Sequence, residues 1–230
     1  MSVAEPDDAP GSSGAHDAPG SSGAPLRVGV LASGDGTNLQ ALLDGVHGRE
    51  AVVVAVAADK PTAGALQRAR DAGIATAVFA LADYPDRAAR DGAIADWLLG
   101  HDVQLVVLAG YMALLTSPFL SRFPDAIVNV HPSLLPAFPG VRAIEQAIDY
   151  GVKIFGVTIH LVLDDGGVDT GPVIVQGAVE LPGAVDPRAV HEALRPVEHA
   201  LLPEAVRLIA RGAVSRDPGN PRRIVVAPER

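Results

Sequence analysis

The sequence predicts an α/β domain built on a single open, mostly parallel, twisted sheet with helices on both faces. Three observations carry this. Short, nearly continuous apolar runs recur from Leu26 onward, the signature of strands buried on both faces. Amphipathic stretches of helix length separate them. Glycine-rich or polar segments follow several runs, where such sheets place the loops that bind ligands.

The first run, L-R-V-G-V-L-A from Leu26, leads into S-G-D-G-T-N-L-Q, a glycine turn opening a helix at about Asn38 to Val46 that Thr37 or Asn38 would cap. Further strands are expected at A-V-V-V-A-V-A-A from Ala51, A-T-A-V-F-A from Ala75, Q-L-V-V-L-A-G from Gln104, and Ala126 to His131. Helices are expected at about Ala63 to Ala72, Asp86 to Leu99 and Ala113 to Arg122. After Gly140 come a helix to about Tyr150, strands from Ile154 to Leu163 and Pro172 to Val179, and a long helix from about Pro187 to Arg211.

Residues 1–25 contain D-A-P-G-S-S-G-A twice, from Asp8 and from Asp17, and almost no large apolar side chain. Such a segment gains too little burial to offset its ordering entropy and is expected to be a disordered tail. Residues 26–215 form the expected domain, with 216–230 a C-terminal extension of it.

The net charge of −9, from 18 basic and 27 acidic side chains, argues against a nucleic acid or an anionic membrane as partner. Cysteine is absent, which excludes thiol nucleophiles, disulfides and zinc–thiolate sites. The acidic N-terminus does not read as a secretory signal, and no stretch has the length of a membrane span, so a cytoplasmic protein is expected, monomer or homodimer, acting on small molecules.

Chemistry gathers in N-V-H-P-S-L-L-P-A-F-P-G, Asn129 to Gly140. Strand side chains alternate between faces, so Asn129 and His131 share one face with Ile127 and converge at the strand's end. Three prolines in the eight positions after His131 make the following loop stiff. A satisfied pair of buried polar residues is the alternative. A second polar stretch, H-L-V-L-D-D-G-G-V-D-T-G-P from His160, reads as a surface turn for Asp164 and Asp165, whereas Asp169 precedes a strand closely enough to reach an imidazole.

The turn Ser33 to Asn38 offers free N–H groups and a helix N-terminus, an anion site or a plain tight turn. Lys60 is the candidate cation to offset Asp35. No H-x-x-x-H or H-E-x-x-H spacing suggests a metal, and Ser133 lacks the G-x-S-x-G elbow of a serine hydrolase.

Taken together, S-G-D-G-T-N-L-Q-A, L-A-G-Y-M from Leu108, N-V-H-P-S-L-L-P-A-F-P-G, V-D-T-G-P-V-I from Val168 and E-H-A-L-L-P from Glu198 resemble the phosphoribosylglycinamide formyltransferases, folate-dependent enzymes of purine biosynthesis with a Rossmann-like fold. The resemblance implies Asn129, His131 and Asp169 as the catalytic trio. It implies the backbone of Gly36, Thr37 and Asn38 for the ribonucleotide phosphate and Glu198 for its ribose hydroxyls. Arg87, Tyr111, Met112, Leu115, Leu163 and Val168 would surround 10-formyltetrahydrofolate, the co-substrate, and no metal is implied.

The chain departs from the family in two places. His160 and Asp169 are nine residues apart where the family usually has seven, and Asp35 replaces a common asparagine. Methionyl-tRNA formyltransferase, a related reading, would carry a C-terminal tRNA domain, and formyltetrahydrofolate deformylase an N-terminal regulatory one. A binding module without turnover would not need all three of Asn129, His131 and Asp169.

Overall fold

The structure, a computed structural model, describes residues 23–227. The expected disordered tail therefore lies, up to residue 22, outside the described residues. Strands β1 (Leu26–Ala32), β2 (Ala51–Ala58), β3 (Ala75–Val78), β4 (Leu105–Leu108) and β5 (Ile127–His131) pair in parallel in the order β3-β2-β1-β4-β5. The direction then reverses. β6 (Ile154–Leu161) runs antiparallel to β5, and β7 (Val173–Glu180) antiparallel to β6.

Alternating side chains divide the interior into two cores, one per sheet face. Val28, Val30, Leu105, Val107 and Val128 pack with α1 (Thr37–Gly45), α2 (Gly64–Asp71), α5 (Ala143–Tyr150) and α6 (Pro187–Ala210). Leu31, Val106, Leu108 and Ile127 pack on the other face with α3 (Arg87–Leu99) and α4 (Ser117–Leu120). The strands read as unbroken apolar runs because both faces are covered. No helix among the described residues is long and apolar enough to cross a membrane.

Two expectations are corrected. The helix expected from Ala113 to Arg122 shrinks to the four residues of α4, because Asp91 takes both the N–H and the hydroxyl of Thr116 and holds that residue extended. Neither Thr37 nor Asn38 caps α1. Its N-cap is Gly36, in the left-handed region at φ 74°, where an added Cβ would lie 2.6 Å from Ala65 Cα. After α6 the described chain forms a hairpin, β8 (Val214–Asp217) and β9 (Asn220–Val226), which joins the sheet beside β7.

Candidate active site

Parallel β1, β4 and β5 end on the same side of the sheet, so their loops meet. Ser33 N donates to Gly110 O at 3.2 Å, and Met112 N donates to the Ser33 hydroxyl at 3.0 Å. The glycine loop and the L-A-G-Y-M loop are thereby latched together. Asn129 and His131, on β5, face the same side as Ile127, as strand alternation requires.

The antiparallel neighbour supplies a member that the sequence reading treated as a strand residue. Asn129 and His160 are direct cross-strand partners, and the Asn129 amide nitrogen lies 3.2 Å from His160 Nε2. His160 Nδ1 donates to Leu161 O at 2.9 Å, which points Nε2 into the space between the Asn129 amide and Asp169.

The loop after β6 returns Asp169 onto this pair. Its Oδ2 accepts from Gly140 N at 2.7 Å and sits 3.2 Å from His131 Nδ1; its Oδ1 is 3.4 Å from both His160 Nε2 and the Asn129 amide nitrogen. Burial pushes this carboxyl up, but the hydrogen bonds from His160 and the Gly140 N–H, with the charges of both imidazoles, outweigh it and hold the carboxyl below the usual carboxylate range. Asp169 stands in the left-handed region at φ 54°, a strained conformation for a non-glycine residue that these contacts hold in place.

His131 is 4% exposed, and its Nε2 donates to Phe138 O at 2.9 Å while Nδ1 faces Asp169. Both ring nitrogens thus meet acceptors, an arrangement the doubly protonated ring satisfies. A donor role toward any substrate oxygen means exchanging one of these contacts. The cheapest to redirect is the contact of the Asn129 amide with Asp169, which at 3.4 Å is long for a hydrogen bond.

The stiff loop is braced from beneath. Thr158, fully buried, donates to Ser133 O at 2.6 Å and accepts from Leu135 N at 3.1 Å, and Gln176 donates to Thr158 and to Leu135 O. The Ser133 hydroxyl donates to Ala137 O at 2.6 Å, a structural use that fits the rejection of a serine nucleophile.

Beside this cluster, the glycine loop meets α6. Asn38, on α1, donates through its amide to Glu198 Oε2 at 2.9 Å; both are buried although 160 residues apart. The Asn38 carbonyl oxygen is buried without a hydrogen-bond partner. The cation against the loop is not Lys60, which is exposed, but Arg68, whose Nε donates to Asp35 O at 2.8 Å. The Asp35 side chain itself is exposed. A cleft of about 590 Å³ opens from Thr37 along α1, lined also by Arg68 and His199.

Of the residues expected around a folate, Tyr111 and Leu115 are half-buried against the α3 core and Leu163 against the α6 core, while Met112 and Val168 are exposed. Arg87 stands exposed on the first turn of α3, outside the strand-end cluster, though its charge reaches Tyr111. The two loops carrying the apolar side chains are joined by the Ser117 hydroxyl, which donates to Asp164 Oδ1 at 2.7 Å. The sequence reading missed Arg90, Asp91 and Thr116, which anchor the first of these loops.

Residues 26–206 match the formyl transferase family. The chain is 43% identical over 193 residues to a phosphoribosylglycinamide formyltransferase of Mycobacterium tuberculosis, covering 84% of this chain and 88% of that protein. It is 37% identical over 180 residues to the protein of the same name from Bacillus subtilis, covering 77% and 91%. Among solved structures, glycinamide ribonucleotide transformylase 1 from Symbiobacterium toebii superposes with a TM-score of 0.82 at 44% identity, covering 89% of this chain and 95% of that one. With nearly the whole domain aligned at these identities, the chain belongs to the formyl transferase family and is a transferase of its phosphoribosylglycinamide formyltransferase group.

Proposed function

We propose that the protein transfers the formyl group of 10-formyltetrahydrofolate to the primary amine of 5'-phosphoribosylglycinamide, a step of de novo purine biosynthesis. The amine attacks the formyl carbon, negative charge develops on the formyl oxygen, and the N10–carbon bond then breaks. Tetrahydrofolate leaves with a proton at N10, and the amine nitrogen gives one up.

The observation that carries this reading is the convergence of Asn129, His131 and Asp169 within 3.4 Å of one another or of a shared partner. The Asn129 amide, released from its long contact with Asp169, donates to the developing oxyanion, and a protonated His131 adds positive charge beside it. Asp169 holds the His131 ring in orientation and, through water, relays the amine's proton. No metal and no covalent enzyme intermediate take part.

The ribonucleotide phosphate sits on the backbone N–H groups of Gly36, Thr37 and Asn38 at the start of α1, where the helix dipole favours an anion. Glu198, facing Asn38, takes the ribose hydroxyls. The formyl-folate fits the opposite side: Met112 is 71% exposed and Val168 48%, large apolar side chains beside a polar cluster, which a pterin ring would cover. Tyr111, Leu115 and Leu163 complete that wall, with Arg87 at its outer edge.

Formyl transfer measured with 10-formyltetrahydrofolate and glycinamide ribonucleotide tests the reading directly. Turnover that requires both substrates supports it. Hydrolysis of the formyl-folate without an amine acceptor, or tight binding with no turnover, would replace it by a deformylase or a binding module.

A further inference from the structure

We propose that Asp91 is a positioning residue for the formyl-folate: acting through Thr116, it fixes the loop that carries Tyr111, Met112 and Leu115. The inference rests on the function proposed above, which places the folate against that loop.

Asp91 lies on α3 with no exposed surface, and its two oxygens have different work. Oδ1 accepts from Arg90 Nε at 2.9 Å and from Arg90 Nη2 at 2.6 Å. Oδ2 accepts from the Thr116 N–H at 2.8 Å and from its hydroxyl at 2.9 Å. Arg90 neutralises the carboxylate, and the carboxylate holds the loop.

The loop is pinned at two points, by Ser33 at Met112 and by Asp91 at Thr116. The next residue, Ser117, reaches Asp164 in the loop that carries Leu163 and Val168. One buried carboxylate therefore sets the near edge of the apolar wall and, through Ser117, its link to the far edge. A buried ion pair seldom adds net stability over apolar side chains of the same volume. An apolar residue at 91, however, cannot accept two hydrogen bonds from Thr116.

Asp91→Asn separates this role from simple packing, because the amide has one acceptor and two donors. With its oxygen toward Arg90, it turns N–H groups against the Thr116 N–H, although the hydroxyl can rotate to accept; flipped, it turns them against the guanidinium. Either way one partner is lost. Thr116→Val removes only the hydroxyl contact and keeps the N–H bond, and it perturbs no buried charge.

The test measures KM for each substrate and kcat in the wild type and both variants. Loss of a hydrogen bond to a charged group predicts a rise in KM for 10-formyltetrahydrofolate of roughly tenfold in Asp91→Asn, and a smaller rise of about threefold in Thr116→Val. KM for the ribonucleotide and kcat stay within about twofold, since neither variant touches the glycine loop or the strand-end cluster. An unchanged folate KM, or equal rises in both KM values, overturns the proposal. If Asp91→Asn does not fold, an unchanged folate KM in Thr116→Val overturns it.

Calorimetry with tetrahydrofolate separates the two inferences. A wild type that binds tetrahydrofolate but transfers no formyl group sinks the proposed function, and the dissociation constants of the variants then decide the role of Asp91. A wild type that does neither sinks both.

Discussion

Replacing Asp169 with asparagine keeps the side chain's shape and removes its charge. The amide oxygen can keep the Gly140 N–H bond now 2.7 Å long, but the new NH2 faces the Asn129 amide nitrogen and His160 Nε2, both now 3.4 Å from Oδ1. The His131 contact at 3.2 Å loses its ionic character. Hydrogen bonds to charged groups contribute about 1.5–3 kcal/mol, so the variant should lose about 1–3 kcal/mol of stability near neutral pH. Asp169 has a folded pKa lowered below its ordinary value, so its stabilisation is complete above about pH 4 and is lost as pH falls through the folded value. The gap in unfolding free energy between wild type and variant should therefore hold constant at neutral pH and close in acid, which denaturant titrations at a series of pH values will read. Single-turnover formyl transfer per folded molecule should fall by roughly 10²–10³-fold. Combined with His131→Ala, the loss should be far smaller than the product of the two, because the residues act as a unit. Preserved turnover per folded molecule, a gap that persists into acid, or multiplicative losses would refute the coupled pair.

Gly171→Ala should unfold the protein or lower its melting temperature severely, because an added Cβ would lie 1.7 Å from Leu161 O; a melting temperature near wild type would show that the loop neck can open. Burial raises Tyr111 to about 12 although the Arg90 charge opposes it, so an absorbance titration should show a tyrosine ionising near pH 12, and Tyr111→Phe should remove that late step. A raised folded pKa means that Tyr111 stabilises the fold fully below about pH 10 and loses this as pH rises through 12. Asp35→Asn should leave KM for the ribonucleotide unchanged or lower it, since the side chain is exposed and only the backbone oxygen is engaged by Arg68; a tenfold rise in KM would make Asp35 a direct ligand.

Strand positions were legible because each strand is an apolar run of its own length, and Asn129 and His131 were legible because two polar residues at a run's end share a face by alternation alone. The same reasoning cannot find His160. Its place opposite Asn129 depends on β6 reversing direction, and an eight-residue apolar run carries no sign of its direction. The pairs Asn38–Glu198 and Asp91–Thr116 were hidden for a related reason, since each joins elements far apart in sequence whose packing is set by the fold. Asp91 also misled the helix reading, because a local pattern from Ala113 to Arg122 yields when a buried carboxylate claims a backbone N–H. The hairpin β8–β9 did carry a local signal, D-P-G-N between two short runs, a turn sequence that the reading passed over.

The loop between β6 and β7 shows how a site tolerates a change of length. Its neck is tight: Leu161 N donates to Pro172 O at 2.9 Å, and Gly171 packs against the Leu161 carbonyl with no room for a side chain. Asp169 lies two residues from that neck and is held by contacts from β5, β6 and the loop after β5. Farther out, the chain closes on itself. Asp165 accepts from Gly167 N and from the Thr170 hydroxyl, and residues 164–168 are exposed. Extra residues between His160 and Asp169 thus enter a self-capped turn, while the carboxylate takes its contacts from Asn129, His131, Gly140 and His160. The position of Asp169 is measured from Gly171 backward, and not from His160 forward. That is why a spacing of nine, where the resemblance implies seven, still delivers the carboxylate to His131.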